Sequence, residues 1–230
     1  MAAGDNRMNK EQMLESTDAS LLVIEERTHK DIVVGVPHHA PAGQSTLPCP
    51  EHKDADENAG FLGQYLADRL DCCSIIACNY TCDVNKSSRS DYSRQIASWE
   101  PKVLVEIHGH SGKNAKHNIE VSSGSSRNNR FSKALSEKLQ TALSADEDLE
   151  LLSVCGEYDK LFFKASKAVT ISDGRWIAYH IELPSQLRKS QGSDNGKPPD
   201  RGYCFCDILC SILHEIHRDG NNHYDPADRR

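Results

Sequence analysis

The stretch KVLVEI at residues 102–107 is the most strand-like segment of the chain, and His108-Gly109-His110 follows it directly. A short apolar run with β-branched residues favours a buried strand. Similar runs predict further strands at residues 21–24, 31–36, 74–78, 118–122, 161–163 and 176–183. We expect Pro37 to end the strand at 31–36, because proline cannot donate a hydrogen bond to a sheet.

Segments with helical periodicity separate several of these runs. From Glu57 onward, apolar residues recur at intervals of three and four, at Phe61, Leu62, Tyr65, Leu66 and Leu70. This stripe predicts a helix that packs on a sheet. Helices are also predicted over residues 131–143 and 204–217.

The alternation of strands and helices predicts the fold class. It favours an α/β protein, a three-layer α/β/α sandwich with a mixed, largely parallel sheet. A chain of 230 residues suits one large domain, which we place at residues 21–230. The polar residues 1–20 are expected to form a flexible N-terminal lead, and residues 190–201 a surface loop.

Composition excludes several classes of partner. With 34 acidic and 27 basic residues, the net charge is −7, which argues against a protein that binds nucleic acid through its phosphates. A membrane helix needs about 20 apolar residues, and no apolar run of the sequence is nearly that long. The first residues also lack the pattern of a secretion signal. We therefore expect a cytoplasmic protein that does not associate with membranes.

The nine cysteines raise the question of a metal cluster. They include two groups, Cys72, Cys73, Cys78 and Cys82, and Cys204, Cys206 and Cys210. Neither group has the paired C-x-x-C spacing with which turns present thiolates to zinc. Because unpaired cysteine behaves as a small apolar side chain, we expect buried free thiols rather than a cluster or a redox site.

Polar residues with metal-binding chemistry gather at the predicted strand ends. His38 and His39 follow one strand, His108 and His110 follow another, and Glu182 lies near the end of the strand at 176–183. Sites in open α/β sheets lie beyond the carboxyl ends of the strands. A single histidine at such a position often only bonds a backbone carbonyl, but the combination points to a shared site.

Two histidines and one carboxylate would complete the ligand set of a catalytic zinc site, which leaves a position for water. The carboxylate is expected from the long loop at 37–56 or from the start of the next helix. Asp54, Asp56 and Glu57 lie there, and the spacing does not choose among them.

Three segments also resemble motifs of a known family. VPHHA at residues 36–40, DVNK at 83–86 and VEIHGH at 105–110 are similar, in this order, to motifs of the N-formylglutamate amidohydrolase family, which is related to the zinc carboxypeptidases. The resemblance covers roughly residues 30–190. It implies a phosphorylase/hydrolase-like fold and hydrolysis of an amide or peptide-like bond at one zinc ion.

The resemblance also implies the metal ligands. They would be His38, with His39 as the alternative, Glu57, with Asp56 as the alternative, and His108, with His110 as the alternative. The chain departs from the His-x-x-Glu spacing of the carboxypeptidases, because Pro41 stands three residues after His38. The acidic ligand is therefore the least determined of the three.

Further roles follow from the same resemblance. Asn85 and Lys86 match the Asn-Arg pair that binds the substrate carboxylate in carboxypeptidases, with lysine in place of the two-pronged arginine. Glu182 would be the general base, and Arg89 would offset the charge that develops on the carbonyl oxygen. The implied substrate is a small acidic amide, such as an N-acyl (N-formyl) amino acid or a glutamyl peptide.

A different class of function stays open on sequence grounds. The lysine at position 86 and the altered ligand spacing also suit a non-catalytic module that binds a metal or a peptide on the same fold. The sequence selects neither the exact substrate nor the oligomeric state.

Overall fold

One mixed sheet of eight strands organises the part of the chain that the computed structural model describes, residues 8–189 and 196–218. The strands are β1 (Leu21–Glu25), β2 (Ile32–Ala40), β3 (Asp56–Glu57), β4 (Cys73–Cys78), β5 (Val103–His110), β6 (Ile119–Ser122), β7 (Val154–Cys155) and β8 (Ile177–Pro184). Their order across the sheet is β1-β4-β2-β5-β8-β6-β7, and β3 pairs with the end of β2.

Parallel pairing dominates the centre of the sheet. β4, β2, β5 and β8 are parallel neighbours, β3 is parallel to β2, and β6 is parallel to β7. β1 runs antiparallel to β4, and β6 runs antiparallel to β8. The predicted mixed, largely parallel sheet is confirmed.

Helices cover both faces of this sheet. They are α1 (Lys10–Leu14), α2 (Ala59–Leu70), α3 (Asp91–Trp99), α4 (Asn129–Leu143), α5 (Val169–Ser172), α6 (Ser185–Arg188) and α7 (Asp200–Arg218), with 3-10 turns at Val84–Lys86 and Tyr158–Lys160. Apolar residues of α2, α4 and α7 form one core with Val105 and Ile107 of β5, while α3 and α5 form a second core with Leu104. Because successive strand residues point to opposite faces, this division confirms the three-layer sandwich.

The predicted N-terminal lead contains a short helix. Asn9 caps α1 through a hydrogen bond from the backbone N–H of Gln12, and Leu14 is buried against the first core. Residues 1–7 of the predicted lead, and residues 190–195 of the predicted loop at 190–201, lie outside the described residues.

The strand predicted at residues 161–163 is wrong. The backbone N–H groups of Phe162 and Phe163 donate to the buried carboxylate of Glu120, at 2.8 Å and 2.9 Å. A side chain therefore satisfies the donors that a neighbouring strand would otherwise take.

The expected end of β2 and the expected start of α2 also differ from the structure. β2 continues through Pro37 to Ala40, and its register against β4 shifts between Val36 and His39. Such an irregularity accommodates a residue that has no N–H to donate. α2 begins at Ala59, so Glu57 lies in β3 instead of opening the helix.

All nine cysteines lie among the described residues as free thiols, and seven of them are buried. Neither of the two groups of potential metal ligands in the described part of the chain includes a cysteine. Within the described residues, no helix has both the length and the apolar character needed to cross a membrane.

The close packing of α2 on β2 gives a test of the fold. A Cβ atom on Gly63 would lie 2.3 Å from Cγ2 of Val36. We expect Gly63→Ala to lower the free energy of unfolding by about 1–3 kcal/mol, although alanine is the better helix former by about 1 kcal/mol. Urea denaturation measures the change.

The matched control is the double variant Gly63→Ala with Val36→Ala. Because removal of the valine methyl groups makes room for the new Cβ, the double variant should lose less stability than the sum of the single variants. Additive losses would contradict the proposed contact.

Candidate metal centre

Three strand ends bring two imidazoles and one carboxylate together. β3 pairs with the end of β2, with Asp56 opposite His39. The Oδ2 atom of Asp56 lies 3.5 Å from Nδ1 of His38 in β2 and 3.3 Å from Nδ1 of His108 in β5. All three residues are at most 3% exposed. The group is therefore a buried site at the carboxyl edge of the sheet.

The irregularity in β2 decides which of its histidines faces this site. Val34 and Val36 point to the face that α2 covers, and strict alternation would send His38 the same way. Instead His39 lies on that face, where its Nε2 donates to the carbonyl oxygen of Leu14 (2.9 Å) and its Nδ1 accepts from Gly60 N–H (3.0 Å). His38 consequently points to the opposite face, towards His108.

Regular alternation places the partners of His108. Glu106 and His108 share one face of β5, and the register with β8 puts His180 opposite Glu106 and Glu182 opposite His108. The two parallel strands therefore present two imidazoles and two carboxylates side by side.

A second carboxylate holds each imidazole that faces Asp56. Nε2 of His38 lies 3.0 Å from Oδ1 of Asp83, and Nε2 of His108 lies 3.3 Å from Oε2 of Glu106. Because an ionised carboxylate only accepts hydrogen bonds, Nε2 is the donor in both pairs. With a metal bound, each ring would be neutral and its Nδ1 lone pair would point to the side of Asp56, which is the arrangement found in carboxylate–histidine–zinc sites.

Two further side chains hold the carboxylate of Glu106 in place. The hydroxyl of Tyr92 donates to its Oε1 (3.0 Å) and Nδ2 of Asn85 donates to its Oε2 (3.2 Å). Burial raises the pKa of Glu106, but the hydrogen bond and the charge of His108 outweigh it, so the pKa is lowered. Glu106 is thus a fixed anion behind His108.

The electrostatics of the cluster favour a positive charge at its centre. Burial lowers the pKa of His108, but Asp56 and Glu106 raise it to about 10. The pKa of His38 is also raised, since Asp56 and Asp83 outweigh its burial. Burial raises the pKa of Asp56, and the two histidines lower it below its usual range. A divalent cation between neutral imidazoles would satisfy the same field.

Glu182 reaches the cluster with one oxygen uncommitted. Its Oε1 accepts a hydrogen bond from Nε2 of His180 at 3.0 Å, whereas its buried Oε2 has no hydrogen-bond partner in the part of the chain that the structure describes. Burial raises the pKa of Glu182, but His180 and His108 lower it, so the carboxylate is ionised at neutral pH. An anchored anion with a free oxygen can accept a proton.

The ligand types at the centre and the two separations from Asp56 fit a zinc ion. Among the described residues, Nδ1 of His38 and Oδ2 of Asp56 have no hydrogen-bond partner, although both atoms are buried and face each other. Two ligand atoms about 2.1 Å from a tetrahedral ion lie about 3.4 Å apart, which matches the 3.3 Å and 3.5 Å separations around Asp56. Imidazole nitrogen and carboxylate oxygen are also ordinary zinc ligands.

The structure places two other ligands that the resemblance implied, Glu57 and His110, away from Asp56. Oε1 of Glu57 accepts from Gly43 N–H (2.7 Å), and its Oε2 pairs with Lys189. Nε2 of His110 donates to the carbonyl oxygen of Asn118 (2.9 Å), and its Nδ1 accepts from Gly112 N–H (3.0 Å). With these bonds made, neither side chain offers a free atom to a metal between His38 and His108.

The residues expected to bind substrate differ in their exposure. Asn85 is buried against Glu106. Lys86 is exposed, and its Nζ lies 2.5 Å from Oδ2 of Asp83. Arg89 is exposed on the segment that follows. Lys86 thus lies one residue from the buried cluster, while Asn85 is part of it.

No individual role was predicted from the sequence for His52, Asp83, Glu106 and His180. The ring of His52 stacks on His38 at a centroid distance of 3.8 Å, and His38, His52 and Asp56 form one group of potential ligands. Glu106, His108 and His180 form a second group. Glu106 and His108 are two positions apart in the sequence, as are His180 and Glu182. In a strand, this spacing predicts that the side chains of each pair share a face.

Comparisons with known proteins find solved structures that have a similar fold. No family model matches the sequence, and no curated protein matches it either. Among solved structures, a bacteriophage poly-gamma-glutamate hydrolase superposes with a TM-score of 0.54 at 11% identity, over 90% of this chain and 95% of that one.

A second similar structure is the N-formylglutamate amidohydrolase from Ralstonia eutropha JMP134. Its TM-score is 0.53 at 11% identity, over 86% of this chain and 98% of that one. The fold implied by the sequence motifs is therefore confirmed, and at this level of identity the likeness concerns the fold.

The two adjacent carboxylates of β3 give a matched test of the centre. Loss of a side chain that only orients a metal ligand lowers the metal affinity by about 10–100-fold. We expect Asp56→Asn to weaken zinc binding by more than this, because it removes the carboxylate between the two imidazoles. Glu57→Gln should keep one zinc per chain. Zinc content after dialysis, together with calorimetric titration, measures both. Loss of zinc from Glu57→Gln alone would reverse the assignment.

The carboxylates behind the histidines give a second test. We expect Asp83→Asn and Glu106→Gln each to weaken zinc binding by about 10–100-fold, since each removes the anion that orients one imidazole. Asp91→Asn, at an exposed carboxylate paired with Arg94, is the control. Competition with a chromophoric chelator gives the affinities, and values equal to wild type in both variants would refute this role.

Proposed function

We propose that the protein is a zinc-dependent hydrolase of an amide or peptide-like bond, with His38, Asp56 and His108 as the metal ligands. The observation that carries the proposal is the position of the Asp56 carboxylate between two Nδ1 atoms whose rings are held at Nε2 by Asp83 and Glu106. Asp56, named above as the alternative, replaces Glu57 in this proposal.

Bound at these residues, zinc would lower the pKa of a coordinated water and polarise a carbonyl group. The chain supplies the proton transfers. Oε2 of Glu182, to which no described residue donates a hydrogen bond, accepts a proton from the attacking water and delivers it to the leaving amine. His180 holds Oε1 of the same carboxylate, so the glutamate keeps its orientation through both steps.

The proposed substrate class is an acidic amide of glutamate. The two similar structures are named for hydrolysis of poly-gamma-glutamate and of N-formylglutamate. Because the whole chain carries a charge of −7, an acidic substrate needs a local cation. Lys86 is exposed and lies next to Asp83, so we assign the substrate carboxylate to its ammonium group.

The roles of Asn85 and Arg89 change with their positions. Because Nδ2 of buried Asn85 donates to Glu106, we propose that it positions this glutamate instead of binding substrate. Arg89 is exposed on the segment that carries Lys86. We propose that its guanidinium assists in binding the substrate anion.

Glu182→Gln tests the reaction itself. We expect the variant to retain one zinc per chain while kcat falls by about 10²–10⁴-fold, because glutamine cannot accept the proton. N-formylglutamate and a γ-glutamyl dipeptide are the substrates to assay. The matched control is Glu157→Gln, at an exposed carboxylate that pairs with Lys160.

Three outcomes separate the alternatives. Unchanged turnover in Glu182→Gln would exclude this glutamate as the base. Zinc binding by the wild type without hydrolysis of either amide would favour the non-catalytic binding module. Absence of stoichiometric zinc in the wild type would overturn the proposal as a whole.

A further inference from the structure

Arg188 is the largest fully buried side chain described in the structure, at 1% exposure. It belongs to α6, which follows β8 directly. Its guanidinium donates to three backbone carbonyl oxygens, through Nε to Leu183 (3.2 Å), through Nη1 to Glu57 (2.6 Å) and through Nη2 to His110 (3.1 Å). A buried charge needs such a set of partners, since burial without them is costly.

The three carbonyls belong to the three strands that carry the proposed centre. Glu57 directly follows Asp56 in β3, Leu183 directly follows Glu182 in β8, and His110 lies two residues after His108 in β5. One planar group with fixed donor directions therefore bridges the backbone beside two ligands and the base.

Gly109 of β5 leaves room for the guanidinium of Arg188. A Cβ atom on Gly109 would lie 2.1 Å from Cζ of Arg188. Any other residue between His108 and His110 would displace the guanidinium. The glycine is therefore required here by the close approach of a side chain, without any need for an unusual backbone angle.

Asn58 extends the bridge to a fourth strand. Its backbone N–H donates to the carbonyl oxygen of Ala40 at the end of β2 (2.8 Å), and its Nδ2 donates to the carbonyl oxygen of Arg188 (3.0 Å). Burial lowers the pKa of Arg188, and the negative charges of Asp56, Glu182 and Glu57 oppose this shift without outweighing it. The backbone of the strand ends therefore holds the cation.

We propose that Arg188 is a positioning residue that sets the relative placement of Asp56, His108 and Glu182 by bridging the ends of β3, β5 and β8. The inference rests on the proposed metal centre. Lysine cannot replace it fully, because an ammonium group on a flexible stem lacks the rigid fork that spans three carbonyls.

The test uses cobalt(II) as a spectroscopic substitute for zinc in the full-length protein. Arg188→Lys should weaken cobalt binding by at least about 10-fold and change the visible absorption bands, which report ligand geometry. Arg27→Lys is the matched control, since Arg27 follows β1 and also bridges several carboxylates, Glu25 of β1 and Asp68 of α2 among them, away from the candidate centre. It should lower the melting temperature and leave the cobalt spectrum unchanged.

Gly109→Ala is the second variant, because it displaces the guanidinium while Arg188 stays in the sequence. It should change the spectrum in the same direction as Arg188→Lys, and it decides the question if Arg188→Lys does not fold. Spectra and affinities equal to wild type would overturn the role of Arg188 alone. Failure of the wild type to bind cobalt would instead overturn the metal centre, and the inference with it.

Discussion

The contact of the Asp56 carboxylate with two imidazoles is the constraint on which the site depends. Asp56, Asp83, Glu106 and Glu182 are all buried, and buried anions are costly unless cations or donors compensate them. His38 and His108 lie between these acids, and each ring is held at Nε2 by one carboxylate while its Nδ1 faces another. Positive charge therefore stabilises the cluster, and a divalent ion would supply it.

The sheet makes this arrangement available at little conformational cost. Parallel strands end at the same edge, and the in-phase pairing of β5 with β8 stacks Glu106 and His108 beside His180 and Glu182. β3 contributes only two residues, yet its pairing with β2 delivers Asp56 to the same place. Rigid strand ends position a site more accurately than loops do, and the guanidinium of Arg188 lies across three of these ends.

Much of the candidate site was accessible from the sequence because it follows from period-two alternation and from strand ends. His38, His108 and Glu182 were expected at the carboxyl edge of a parallel sheet, and the structure brings them to one face. The acidic ligand was not decided, because Asp56 and Glu57 are neighbours and point to opposite faces. Only the pairing of β3 shows that Asp56 faces the histidines while Glu57 bonds Gly43 and Lys189.

The amino-acid sequence by itself determined the fold class, since apolar runs and helical stripes such as those at residues 102–107 and 61–70 depend on local patterning. It could not place residues 161–163, whose backbone donors bond Glu120, a residue about 40 positions away. Nor could it choose between His38 and His39. That choice depends on a register shift between β2 and β4, and a shift in pairing is a property of two strands together, which only the tertiary structure decides.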